Sequence, residues 1–259
     1  MQASHSKVPN AALSRRCVGY GSLSWVNDVQ WFSSVLPEHV LVGAPGVLDL
    51  GCGPARLGRW LANRSETAYL GIDTSPRMLD QVNPPEPAHR PLSVIVGDIE
   101  TLTMPSFAGW VFVIANVLHY LRDPVALRDL PRRFGPPRVV CVAQTESRDA
   151  RTLAWAQDLF DIVWPGYSRR WYKAGDLDRF VERLGARVIG DDVLEQPVDM
   201  DAWLAGWSLS STAERRAQRH FDQADDIIKH PSTFREGANR VMVRRQRIMH
   251  LLMSQASPA

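Results

Sequence analysis

Three carboxylates and two glycines carry the chemistry this sequence announces. Asp49, Gly51 and Gly53 stand in the order acid–x–Gly–x–Gly within the stretch VLDLGCGPA, residues 47–55. Asp73 follows 20 residues after Gly53, and Asp98 lies further on in VIVGDIE. Paired glycines let a backbone turn lie against a ligand with no side chain in the way. A carboxylate just before such a turn would repel a pyrophosphate, but it suits a ligand end that carries an ammonium group. An acid about 20 residues later falls where ribose hydroxyls are gripped, and its two oxygens can accept from both hydroxyls. Two phosphate readings fail. A dinucleotide turn needs G-x-G-x-x-G, and the third glycine of that pattern, counted from Gly51, falls on Arg56. A Walker loop needs Gly-Lys-Ser/Thr, which the chain lacks.

The elements that must hold these residues alternate. Val47, Leu48 and Leu50 read as a short buried strand with Asp49 near its carboxyl end, and residues 56–63 read as the following helix. Further strands are expected at 68–72, 92–96, in 110–121 together with its exit loop, and at 138–144. Helices are expected at Ser75–Val82, opened by a Ser and a Pro, and at Pro124–Phe134, led by Asp123. Residues 83–91 hold four prolines and must be a loop. Such alternation implies a parallel sheet with helices on both faces. The pattern then changes. Residues 148–163 read as a helix with Leu153, Ala156, Phe160 and Val163 on one face, and residues 176–184 as another, closed by Gly185. A sixth strand is expected at 187–194, and residues 200–229 are largely helical. The second half of 241–253 reads as a last strand, with a helix as the alternative. At the other end, residues 1–16 are polar and expected to fray. Residues 20–36 carry Trp25, Val29, Phe32 and Leu36 at helical spacing, stopped by Pro37.

VLDLGCGPA resembles motif I of the class I S-adenosylmethionine-dependent methyltransferases. GIDTS around Asp73, VIVGDIE around Asp98 and WVFVIANVLHYL around Asn116 follow in the order of that family, so the resemblance covers roughly residues 46–121 and continues weakly to the end. One departure is Ala55, where the family often has a third glycine. The resemblance implies an α/β fold: a Rossmann-like seven-stranded sheet, mostly parallel with an antiparallel last strand, plus a helical cap. It implies an N-terminal helical lid over residues 1–45. The methyltransferase domain would occupy 46–259, with cap insertions near 148–170 and 199–235 built over the substrate.

The resemblance also implies roles. Asp49 would accept from the methionine ammonium, Gly51, Cys52 and Gly53 would line the cofactor, and Asp73 would take the ribose hydroxyls. Met78 would also line the cofactor, Thr74 would border the adenine, Asp98 would accept from its amino group, and the Ile99 amide would reach a ring nitrogen. Ala115 and Asn116 would meet the methionyl end, with Tyr20 closing over it. The plainer readings are a tight turn for the glycines, a turn carboxylate for Asp49, a helix cap for Asp73 and a loop residue for Asp98. His119 is the candidate general base, because imidazole titrates near neutrality; the family often carries a histidine there whatever the substrate, which allows a structural role. His5, Glu146, Tyr172 and His220 are other bases that spacing does not rank. Nine tryptophans are many for 259 residues. Trp164, Trp171, Tyr172 and Trp203 are the expected substrate-lining residues, since aromatic faces stack on flat molecules; the alternative is a cap core.

Composition narrows the class. A net charge of +2 gives no global field for nucleic acid, and the basic clusters at 169–173, 215–219 and 244–247 read as solvated faces. Cys17, Cys52 and Cys141 are far apart and odd in number, which suggests no metal site or disulfide framework and a reducing, cytoplasmic setting. No apolar run approaches membrane-spanning length. The expected function is methyl transfer from S-adenosylmethionine to a small aromatic or apolar acceptor on carbon, oxygen or nitrogen, of the ubiquinone/menaquinone C-methyltransferase or natural-product tailoring type, by a monomer or homodimer. RNA modification is an alternative. The amino-methylases of nucleic acids carry Asn/Asp-Pro-Pro-aromatic after the fourth strand, where this chain has Asn116-Val-Leu-His. A non-catalytic S-adenosylmethionine-binding protein is a third reading.

Overall fold

In the computed structural model, residues 28–82, 92–104, 106–165, 170–207, 209–224 and 241–253 are described. Seven strands follow in chain order: β1 Gly46–Leu50, β2 Ala68–Asp73, β3 Leu92–Val96, β4 Val111–Ala115, β5 Val139–Thr145, β6 Ala186–Asp199 and β7 Val241–Met253. They form one sheet in the order β3-β2-β1-β4-β5-β7-β6. Strands β1 to β5 run parallel, whereas β7 is antiparallel to both its neighbours. The chain divides into two compact units. One comprises Asp28–Gln144, Gly175–Leu194 and Arg247–Ala259, and the other Met1–Asn27, Thr145–Ala174 and Glu195–Gln246.

The sheet unit is built on apolar strands buried on both faces, as parallel sheets require. All of β1, Val111–Ile114 of β4 and Val139–Gln144 of β5 are buried. The helix Val29–Val35, capped by the Asp28 carboxylate on the Gln30 amide, buries Phe32 and Val35 in the same core as Val47 and Val111. The expected helix at 124–134 is a 3₁₀ turn, Pro124–Asp129, running into an α-helix, Leu130–Phe134. Pro131 has no N–H to continue the first ladder, so the helix restarts there. Helix Asp176–Leu184 buries Leu177, Phe180, Val181 and Leu184, and Gly185 closes it at φ +65°.

Among its described residues, the other unit is mainly helical. Helix Ala150–Val163 starts with a reciprocal cap between Asp149 and Thr152. The largely helical stretch expected from 200 holds two helices among the described residues, Met200–Ala205 and Ser211–Asp222. The chain breaks at Gly206, and the Ser210 hydroxyl caps the second helix on the Ala213 amide. Leu159, Val163, Val198, Met200, Trp203, Leu204, Ala217 and Phe221 form its core.

Strand β7 also corrects the sequence reading, since all of 241–253 is strand. Its basic first half resembled a solvated segment, yet Arg244 donates to the Gln196 side chain and the other two arginines are matched with acids. Arg245 pairs with Glu146 and Glu195, and Arg247 pairs with Asp178 and Asp191, both at 2.6 Å.

Candidate active site

Chain order reverses in the sheet at β1, with β2 on one side and β4 on the other. A crevice outside the carboxyl ends of parallel strands forms where order reverses. The Gly turn leaves β1 at that place. Its amides at Gly51 and Cys52 both donate to the Ile72 carbonyl, at 2.7 and 3.0 Å, which ties the turn to the end of β2.

The two glycines have different reasons for being there. Gly51 has φ +83°, and a Cβ on it would run into Val117. Gly53 has φ +54°, and a Cβ on it would meet nothing within 4 Å. Gly51 is thus demanded by the protein's own packing, whereas Gly53 keeps open space clear. Ala55 takes the same left-handed backbone, φ 50° and ψ 41°, just before helix Arg56–Ala62, and its methyl is wholly buried in the core of the unit.

Three acids stand at successive strand ends. Asp73, the last residue of β2, accepts from the Gly53 amide at 2.8 Å through one oxygen and from the Ser75 amide at 2.9 Å through the other. Each oxygen keeps a second lone pair for a ligand. Burial raises its pKa, and those amides hold it back. Asp49 is buried, and its carboxylate accepts from the Tyr69 hydroxyl at 2.6 Å. Burial pushes the Asp49 carboxyl up to about 7; the Tyr69 hydrogen bond opposes this and the Asp73 charge adds to it. Burial beside Asp49 and Asp73 also drives the Cys52 thiol far upward, which leaves it unreactive. Asp98 follows β3 and caps its own loop on the Glu100 amide at 2.9 Å. Arg122, from the loop after β4, lies 3.5 Å from Asp98 and 3.2 Å from Glu100. Ile99 is buried, and its carbonyl accepts from Arg133. Thr74 is exposed, and Met78, Ala115 and Asn116 are half-buried.

The model of the family described as "Methyltransferase domain" matches residues 47–136, the stretch that carries all three acids and the Gly turn. Residues 47–136 form a methyltransferase domain. The family uses S-adenosylmethionine. No curated protein matches the chain in sequence. Among solved structures, YcgJ from Bacillus subtilis is 14% identical with a TM-score of 0.66, covering 86% of this chain and 99% of its own. A methyltransferase candidate from Bacillus halodurans C-125 is 11% identical with a TM-score of 0.69, covering 85% and 97%. The magnesium protoporphyrin IX methyltransferase ChlM from Synechocystis PCC 6803, solved with bound SAH, is 14% identical with a TM-score of 0.51, covering 87% and 82%. These likenesses are of fold.

The residues of the methyltransferase domain suit that cofactor. Gly53 faces open space, the Asp73 oxygens retain accepting capacity, and Asp49 is a buried carboxyl beside the turn. Asn116 adopts a left-handed backbone, φ 56°, and its amide donates to the Ala143 carbonyl of β5 at 2.6 Å. His119 is buried, and its Nδ1 lies 3.1 Å from the side-chain nitrogen of the buried Gln144.

In the helical unit, Phe160, Trp164, Trp171, Trp203 and Trp207 form a connected group of rings, with centroids 4.9–5.7 Å apart and edge-to-face tilts. Trp203 is buried among them, and Trp164 and Trp171 are half-buried. Tyr172 is buried, and its carbonyl accepts from the Ser147 amide at 2.8 Å. Glu146 is buried against Arg245 at 3.1 Å, and His220 stacks on Trp155. Tyr20 and His5 lie outside the described residues. Among the described residues no group of three or more His, Cys, Asp or Glu converges to hold a metal, and no helix is long and apolar enough to cross a membrane.

Sequence reasoning missed Tyr69, Gln144 and Arg122. The first two left a signal. Strand alternation puts Tyr69, Gly71 and Asp73 on one face of β2. Gln144 is a polar residue ending an otherwise apolar strand.

Proposed function

We propose that this methyltransferase acts on a small aromatic or apolar acceptor, and that the Gly corner holds S-adenosylmethionine with its ammonium toward Asp49, its ribose toward Asp73 and its adenine toward Asp98 and Ile99. The observation that carries the reading is the row of three acids at the ends of β1, β2 and β3, the first two beside a turn that keeps Gly53 clear. S-adenosylmethionine supplies a methyl group on a positively charged sulfur with a good leaving group. The chain's own residues therefore have mainly to orient. Alignment of reactants alone lowers barriers by about 7–11 kcal/mol.

Asp49 and Asp73 bring negative charge to a cationic ligand and fix its two ends. Ala115 and Asn116 flank its methionyl end. His119, with Nδ1 engaged by Gln144, shapes the loop after β4 in this reading, and His119→Asn should keep most turnover. The half-buried rings of Trp164 and Trp171 support an aromatic or apolar acceptor. Trp164→Ala should raise the KM for such an acceptor and leave cofactor affinity unchanged.

Calorimetry with S-adenosylmethionine tests the corner. Asp73→Ala removes a carboxylate that orders two amides and accepts from the ribose, and should weaken binding at least about tenfold. Unchanged affinity removes Asp73 from the site. Methyl transfer from labelled S-adenosylmethionine to a panel of phenols, quinols and heteroaromatic amines tests the acceptor class. Transfer only to RNA or to polar aliphatic acceptors overturns it.

A further inference from the structure

Tyr69 belongs to no motif and lies on β2, away from the glycine turn in sequence. Its side chain nevertheless reaches Asp49, the first turn of the helix after the glycines, and the space beside Gly71. The hydroxyl donates to Asp49 at 2.6 Å, and the phenolic oxygen is itself hydrogen-bonded by the Gly58 backbone. The ring lies against Gly58, on the helix after the turn, where a Cβ would come within 2.5 Å of it. A Cβ on Gly71 would meet the Cys52 Sγ at 2.6 Å and the Tyr69 hydroxyl at 3.2 Å. Both glycines therefore leave room for this ring and for Cys52. Tyr69 is only 4% exposed, so no water competes freely for the hydrogen bond.

We propose that Tyr69 is a positioning residue of the cofactor site, whose hydroxyl fixes the Asp49 carboxylate and favours its ionised form, which receives the cationic amino-acid end of the ligand. The inference rests on the reading that Asp49 faces that end. The groups bearing on Asp49 are Tyr69, Asp73 and Cys52. Tyr69 opposes the burial of the Asp49 charge, whereas Asp73 adds to its cost. Burial beside Asp49 keeps the phenol protonated well above its usual range, so it stays a donor at any working pH. A carboxylate that titrates near neutrality makes uptake of a cation pH-dependent: the ionised form attracts it and the neutral form does not.

The test has two parts. The first follows the Asp49 carboxyl by carbon NMR in the unliganded protein, wild type against Tyr69→Phe. The variant should titrate higher by about one pH unit, since it loses a hydrogen bond to the charged form. The second compares S-adenosylhomocysteine with 5′-methylthioadenosine, which shares adenine and ribose but has no ammonium. Wild-type affinity for S-adenosylhomocysteine should fall roughly five- to tenfold between pH 7.5 and pH 6, below the range where α-amines titrate. Affinity for 5′-methylthioadenosine should not change over that range. Tyr69→Phe should weaken S-adenosylhomocysteine several-fold at pH 7 and leave 5′-methylthioadenosine alone.

An unmoved Asp49 titration overturns the proposal. So does an equal loss for both ligands, which would make Tyr69 merely structural. If the wild type binds neither ligand while Tyr69→Phe still moves the Asp49 titration, the cofactor reading of the corner has failed, and the proposed role falls with it although the hydrogen bond stands.

Discussion

The glycine corner of the sheet unit and the ring cluster of the helical unit are both functional candidates, but they are made differently. The corner is fixed by backbone: two amides on the Ile72 carbonyl, two on the Asp73 carboxylate, and left-handed turns at Gly51, Gly53 and Ala55. Few residue types satisfy such demands. The cluster is fixed by volume and edge-to-face contact, which many aromatic combinations satisfy. The corner's shape is therefore narrowly specified by its backbone, whereas the cluster's is not.

The largest effect that sharpens this contrast is Trp203→Ala. It empties a buried site among Phe160 and Trp207 and should cost about 3–5 kcal/mol in chemical denaturation. S-adenosylhomocysteine affinity of the protein that remains folded should be unchanged; a matching loss would break the division between the two regions.

Asp49→Asn should act in the opposite sense on stability. The Asp49 carboxyl stands at about 7 in the folded chain, against about 3.9 unfolded. The folded state holds the extra proton between those values, so this group's contribution to stability falls as pH rises from about 4 to about 7. Without ligand, the variant should be more stable than wild type by roughly 2–4 kcal/mol at pH 8 and no different at pH 4. Its affinity for S-adenosylhomocysteine should drop. Equal stability at both pH values would show that Asp49 bears no buried charge.

The glycine pair separates packing from binding inside the corner. Gly51→Ala combines left-handed strain with collision against Val117 and should cost about 2–4 kcal/mol. Gly53→Ala carries strain alone, about 1–2 kcal/mol, yet should lose more ligand affinity relative to its stability cost. The smallest expected effect is Asp178→Asn. Arg247 holds the Asp178 carboxyl below its usual range, but the side chain is half exposed. The loss should be below about 1 kcal/mol at pH 7. It should vanish as pH falls through the carboxylate range, because the stability given by a lowered carboxyl exists only above it.

What the sequence disclosed follows the same line. Strands β1 to β5 were legible because each reads as a largely apolar run, buried almost throughout in β1, β4 and β5, and Asp73 and Asp98 because each stands where such a run ends. The distinct reasons for Gly51 and Gly53 were not, since they depend on Val117 on another strand's exit loop. The Asp49–Tyr69 bond was hidden because it pairs neighbouring strands across 20 residues. The first half of β7 read as a charged segment because its acids lie far away in the chain. The break at Gly206 was missed because helical periodicity continues on both sides of it.

Ala55 shows what a pattern written in residues leaves out. Its left-handed bend is one that glycine takes without strain, but the chain keeps a methyl group packed in the interior and tolerates the strained dihedral. A search that insists on three glycines passes over such a chain. One that asks for three left-handed turns after an acid-ended strand would recover it, and would rank relatives by backbone shape where letters have diverged.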